Sequence, residues 1–202
     1  MNKLPIVAEH FPKEVAKHSM TVLLNQGLYR HLRFAHGDSS TMAFDLLTYP
    51  VGLLIRGDMG CYVFERNGSE DMFGFFRDDG KGSRINPDYW AEKCTAQSVW
   101  GNGIEEYDSD TARGDILSWL AESQDMPEDM MHEIMGRLDF DSEMELRQSM
   151  AHEDACGGWN FDFGDVDEWW LSTWTVCYLW CLHAIVWGIE QYDRATQEPH
   201  HG

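Results

Sequence analysis

Residues 29–66 read YRHLRFAHGDSSTMAFDLLTYPVGLLIRGDMGCYVFER, and the punctuation of this stretch decides the fold. Four strand-like runs, 29–36, 41–49, 51–57 and 61–66, are separated by Gly37-Asp38-Ser39-Ser40, by Pro50 with Gly52, and by Gly57-Asp58-Met59-Gly60. Each separator can reverse the chain. Connections this short join antiparallel neighbours, because a parallel crossover needs about a dozen residues or more. Leu32 and Phe34 share a face, as do Phe44 and Leu46, Leu53 and Ile55, and Tyr62 and Phe64, while Arg33, Asp45, Arg56 and Glu65 take the opposite positions. One face is therefore mostly apolar and needs a cover. The expectation is an α+β fold, with an antiparallel meander of about four strands packed by helices.

The cover lies far along the chain. Residues 169–189, WWLSTWTVCYLWCLHAIVWGI, carry no formal charge apart from the ionisable His183, and that length can cross a bilayer. The tryptophans are spread along the segment instead of gathered at its ends. Asp165, Asp167 and Glu168 precede it, and Arg194 is the nearby basic residue. A Trp-rich core helix over 169–195 fits better than a membrane span, since a helix apolar on all sides also suits the centre of a globular domain. Cys177 and Cys181, one helical turn apart, then serve as small core residues. Before the strands, Val15, Val22 and Leu23 suggest a helix from Pro12 to Gln26 stopped by Gly27. After them come a short helix over 70–76, a flexible loop at 79–83, and a helix opened by Asn86 as cap with Pro87 in its first turn.

A chain of 202 residues, 43% hydrophobic with nine Trp, has ample apolar surface for one well-buried core, so a single domain over 1–202 is expected. Its parts are a sheet-containing region 1–104, an acidic region 105–168 and the core helix. Charge separates the first two. Residues 1–104 hold 11 basic and 12 acidic side chains, whereas 105–168 hold 20 acidic ones against Arg113, Arg137 and Arg147, a net charge of −17 out of −20. Helices are expected near 109–122, 127–138 and 141–152, with a break at Gly157-Gly158. Glu122, Asp125, Asp129 and Glu133 recur every three or four residues, which on one helix spaces carboxylates about 6 Å apart, comparable with phosphates along a strand. Most acidic helices interleave Lys or Arg at i and i+4, and this region hardly does. The residues marked for partner binding are Glu122, Asp125, Glu128, Asp129, Glu133, Asp141, Glu143 and Glu145. Such a surface repels phosphates and attracts basic proteins, so direct nucleic-acid binding through it is disfavoured.

Chemistry-bearing patterns are missing. Asp129, His132 and Glu133, and the run His152-Glu153-Asp154, lack the spacing of a helical zinc site, and Asp162–Glu168 lacks the alternation and closing Glu of a calcium loop. There is no Gly-x-Ser-x-Gly and no phosphate loop. No catalytic residue, metal ligand or cofactor is assigned. Five cysteines without a regular framework, and an N-terminal segment without a signal-peptide core, point to a reducing cytoplasm and not a membrane.

The runs 28–34, 44–50 and 57–64, with Asp71-Met72-Phe73 and 85–90, resemble a family of small proteins encoded by tailed phages and prophages, over about residues 28–93, and 180–193 adds to the likeness. The family has no established activity, so the resemblance supplies no catalytic residue. It implies a phage accessory protein in the host bacterial cytoplasm. Combined with the charge, the expectation is an anti-defence inhibitor, of anti-CRISPR or anti-restriction type, that mimics nucleic acid in the basic groove of a host nucleic-acid-binding complex. Two alternatives stand beside it: a metal-dependent enzyme of nucleic acid or nucleotide metabolism, and a host-takeover adaptor that grips its partner through the sheet.

Overall fold

The computed structural model describes residues 3–68, 70–77, 85–98, 103–123, 126–156 and 162–197. The loop expected at 79–83, the break at Gly157-Gly158 and the candidate Asp125 lie outside the described residues. The chain divides into two compact units, Glu105–Thr173 and a discontinuous one made of Asn2–Ile104 with Trp174–Gly202. The acidic stretch falls within the first.

In the discontinuous unit six strands follow one another in sequence order: β1 (Ser19–Gln26), β2 (Tyr29–Ala35), β3 (Phe44–Tyr49), β4 (Gly52–Gly57), β5 (Gly60–Glu65) and β6 (Cys94–Gln97). All pairs are antiparallel, as the short turns require. Register lines up Leu32, Leu46, Ile55 and Tyr62 across four strands, and sets Phe34 against Phe44 and Leu53 against Phe64. All of them are buried. The opposite face carries Arg33, Asp45 and Arg56 in one cross-strand row.

The cover is α7 (Val176–Gln197). Trp187 meets Phe34 at 5.5 Å, Trp180 meets Phe44 at 5.6 Å and Tyr178 meets Tyr62 at 5.6 Å, each ring pair inclined toward edge-to-face. Buried polar tips find acceptors: Trp180 Nε1 donates to Glu14 Oε2 at 2.7 Å, and the Tyr178 hydroxyl donates to the Pro87 carbonyl at 2.8 Å. Helix α1 (Leu4–Glu14) packs on α7 through Val7 and Phe11, with the Phe11 ring 5.2 Å from Trp180. Two short helices, α2 (Met72–Phe76) and α3 (Pro87–Ala91), are capped by Asp71 and Asn86, whose side chains accept from the Phe73 and Tyr89 amides. Arg30, nearly buried, is held over the Phe73 ring at 4.6 Å and donates to Asp71 at 2.9 Å. Arg77 clasps Asp193 with two bonds of 2.7 and 2.9 Å. These two arginines tie α2 to the sheet and to the end of α7.

Three expectations change in detail. The helix expected over Pro12–Gln26 is not there: the helix runs Leu4–Glu14, and residues 19–26 form β1. Val7, Phe11 and Val15 fall four residues apart on the face that is buried, so Pro12 sits inside the helix, and Gly27 (φ 63°) turns a hairpin instead of ending a helix. The sheet gains β6, whose four residues Cys94-Thr95-Ala96-Gln97 alternate small apolar with polar side chains too weakly to mark a strand. The core helix begins at Val176, not 169, because Thr175 caps it: its Oγ1 accepts from the Tyr178 amide at 3.1 Å and donates to the Gly103 carbonyl at 2.7 Å. No helix among the described residues is long and apolar enough to cross a membrane.

Two positions lend themselves to measurement. Pro50 and Val51 form the two-residue loop that closes the Tyr49–Gly52 pair, and Val51 has φ 66°, a conformation a β-branched residue adopts only under strain. Val51→Gly is expected to raise stability by about 1 kcal/mol in urea unfolding; an unchanged or lower midpoint contradicts the strain. His183, stacked on Phe11 at 5.6 Å, has a buried Nε2 without a hydrogen-bond partner, and burial pulls its pKa below the usual 6.5. The unfolded chain therefore takes up a proton that the folded chain resists. Stability should fall as pH drops through 6.5 toward the lowered folded value. His183→Phe should remove this component, read as a smaller loss of stability between about pH 7.5 and about pH 5.5.

Candidate functional site

The chain enters the Glu105–Thr173 unit on β7 (Glu105–Tyr107) and leaves it on β8 (Ser172–Trp174), and these two strands pair with each other. Between them stand α4 (Ser109–Ser123), α5 (Glu128–Met135) and α6 (Glu143–Cys156), then a single 3-10 turn at Val166–Glu168. Ala112, Ile116, Leu120, Ile134, Leu146 and Met150 are fully buried. Trp119 stacks on Phe163 at 5.6 Å and meets Trp169 edge-on at 5.3 Å. Ile134 on α5 and Leu138 just beyond it are buried, whereas Met130 is 40% exposed.

Much of the acid has a local cause. Three helices start within about three dozen residues, and a helix N-terminus favours negative charge. Asp108 Oδ1 accepts from the Thr111 amide at 2.7 Å at the start of α4. Glu128 and Asp129 occupy the first turn of α5, and Glu143 and Glu145 that of α6. At α6 the capping-box sequence Ser142-Glu143-Met144-Glu145 fixes the helix start: Ser142 Oγ accepts from the Glu145 amide at 3.2 Å, and its hydroxyl, where the usual box uses the backbone amide of the cap, donates to Glu145 Oε2 at 2.7 Å.

The three arginines are spent inside the unit. Arg113 lies over the Phe140 ring at 3.8 Å. Arg137 bridges Glu133 at 2.6 Å and the buried Glu153 at 3.4 Å. Arg147 pairs with Glu143 at 2.7 Å and donates to the carbonyls of Val166 and Trp169, which pins the 3-10 turn against α6. The remaining surface keeps its negative charge.

The residues marked from sequence fall into three groups. Glu122, Glu128, Asp129 and Asp141 are exposed, on the end of α4, the start of α5 and the segment before α6. Glu133 and Glu143 are exposed or half-buried and ion-paired, and Glu145 belongs to the capping box. Asp125 lies outside the described residues. The helices expected near 109–122 and 127–138 are α4 and α5, and because α4 stops at Ser123 and Pro127, extended at ψ 146°, precedes α5, Glu122 does not share a helix with Asp129 and Glu133. The regular 6 Å ladder of carboxylates is thus broken between Glu122 and Glu128.

Sequence spacing missed a second acidic feature. A cavity of about 370 Å³ is lined by Glu105, Glu106, Glu143, Asp167 and Glu168, with Arg147 and Trp170 at its wall. Trp170 is 59% exposed, and Met144 on α6 is 66% exposed. The signal is the pair Trp169-Trp170 directly after an acidic run, a pair that a core helix over 169–195 absorbs. Burial raises the Asp154 carboxyl above its usual range, opposed by the Phe163 amide donating at 2.7 Å and reinforced by Asp162. Among the described residues no group of three or more His, Cys, Asp or Glu side chains is placed to hold a metal ion. On the sheet of the other unit, Arg33, Arg56 and His31 converge on the buried Asp45 at 3.1–3.6 Å beside an open cavity of about 610 Å³.

No protein-family model, curated protein or solved structure matches this chain. Ser142→Ala should cost the acidic unit about 1 kcal/mol of helix stability, seen as faster amide exchange over the first turn of α6; unaltered exchange there would mean that the box does not fix the helix start.

Proposed function

We propose that this chain is a phage-encoded inhibitor that binds a host nucleic-acid-binding defence complex, and that its Glu105–Thr173 unit occupies the basic groove where that complex takes DNA or RNA. One observation carries the proposal: the three arginines of the unit are each held by the unit's own side chains, Arg113 over Phe140, Arg137 by Glu133 and Glu153 and Arg147 by Glu143, while Glu122, Glu128, Asp129 and Asp141 stay exposed in a folded unit of net charge −17. A surface that served solubility alone has no need to be so depleted of cations, and a field of one sign speeds and selects the approach of a basic partner. Exposed Trp170 and Met144 add the apolar anchors that protein interfaces use and solvated acidic faces lack. The setting, a phage protein in a bacterial cytoplasm, rests on the sequence resemblance and not on geometry.

The test starts with affinity purification of the full chain from bacteria, followed by competition with DNA and RNA for whatever co-purifies. Reversing Glu122, Glu128, Asp129 and Asp141 to Lys, all exposed, is expected to weaken that complex at least about tenfold at low salt and to flatten its salt dependence, while the chain stays folded despite the small loss of stability from cations in the first turn of α5. A partner that binds the quadruple variant equally well, or that keeps its nucleic acid when this chain is bound, overturns the proposal.

A further inference from the structure

The sheet is built with its ends reversed from normal practice. Edge strands are commonly short, or guarded by charge or proline, because unpaired backbone donors and acceptors recruit other chains. One edge here follows that rule: β6 has four residues. The other edge is β1, which at eight residues is the longest strand of the sheet. Its sequence, Ser-Met-Thr-Val-Leu-Leu-Asn-Gln, holds no charge and no proline, in a chain where one residue in four is charged. Val22, Leu23 and Leu24 are 47%, 54% and 39% exposed, and Tyr29, directly across the hairpin, is 54% exposed. The single guard is a register irregularity between Val22 and Leu24.

We propose that β1 is a homodimer interface, in which β1 of one copy pairs antiparallel with β1 of a second about a two-fold axis and joins the two sheets into one. Two observations select a second copy over a foreign strand. Laid antiparallel on itself over its full length, the strand sets Val22 against Leu23 in the middle, at the register irregularity, and Ser19 against Gln26 at the ends, with Thr21 opposite Leu24 and Met20 opposite Asn25 between them, and no pair opposes two charges. A two-fold interface requires such a match, because the same patch serves both sides. The second observation is electrostatic. Two chains of net charge −20 repel, and they can meet only where charge is absent. The unit that carries β1 has 12 basic and 15 acidic residues against −17 for the other, and β1 contributes none of them. A foreign strand would be chosen by charge or by side-chain pockets, and β1 presents neither.

The experiment is sedimentation velocity of the full chain from about 1 to about 200 µM, at low and at physiological salt. A concentration-dependent monomer–dimer equilibrium that tightens with salt, as mutual repulsion is screened, is expected. Leu23→Lys places two cations at the dyad and should weaken the dimer at least tenfold without altering the melt of the monomer; Thr21→Lys, also exposed, should act the same way. Mixing Leu23→Lys with Leu23→Glu chains should restore pairing. A wild-type chain that stays monomeric throughout, a dimer indifferent to both lysine variants, or growth past the dimer into larger species each overturns the proposal, since a two-fold edge pairing closes at two.

Discussion

A Cβ atom on residue 188 would lie 2.7 Å from Cδ1 of Leu46 and 3.2 Å from the Phe34 ring, so α7 crosses the sheet at a distance that Gly188 permits and a larger residue would widen. The rest of the discontinuous unit depends on that approach. It brings Trp180 and Trp187 onto Phe44 and Phe34, and it brings Tyr178 under Pro87, which seats α3. With α7 so close, its flank is left for α1, and Phe11 fills it between Trp180 and Trp187. At the far end Asp193 and Tyr192 reach Arg77 and Asn25, so a helix almost at the C-terminal end of the chain fastens both α2 and the edge strand β1. Van der Waals fit of this kind is lost steeply with separation.

The acidic unit is built on a different economy. Its core is small and helical, and its surface charge opposes compaction, so each cation has to do structural service. Arg137 offsets the burial of Glu153, and Arg147 holds the 3-10 turn that leads out toward β8. Carboxylates at helix starts offset part of the self-repulsion by facing the positive ends of α4, α5 and α6. The unit can therefore carry a net −17 and still have an apolar interior flanked by Trp119, Phe163 and Trp169.

The meander was legible because period-two alternation and turn residues act within a few neighbours: Leu32–Phe34 through Tyr62–Phe64 needed no knowledge of the rest of the chain. What sequence left hidden was decided by partners distant along it. Val22-Leu23-Leu24 suits a helix or a strand equally, and hydrogen bonding to β2 settles it. Gly27 can end a helix or turn a hairpin with the same positive φ. The start of α7 turns on Thr175, whose hydroxyl is fixed by Gly103, 72 residues earlier. In the candidate surface the total charge was plain from composition, and Glu128, Asp129 and Asp141 are exposed as composition implied. Which acids are occupied was not plain, because Glu133, Glu143 and Glu145 are committed by bonds to Arg137, Arg147 and Ser142 that only folded geometry reveals.

Charge segregation links the two proposals. A protein that spread 20 excess negative charges evenly would have no surface on which two copies could approach, and no surface acidic enough to compete with a nucleic acid. Concentrating 17 of them in one folded unit solves both problems together. It leaves the sheet-bearing unit close to neutral, with a charge-free strand at its edge, and it raises the local field where a basic groove would meet it. If that groove belongs to a complex that offers two equivalent sites, a paired inhibitor gains from the second contact by raised effective concentration without any new interaction, provided both sites are within reach. The same pairing would be neutral for a partner with one site, so the advantage of dimerisation depends on the symmetry of what is bound.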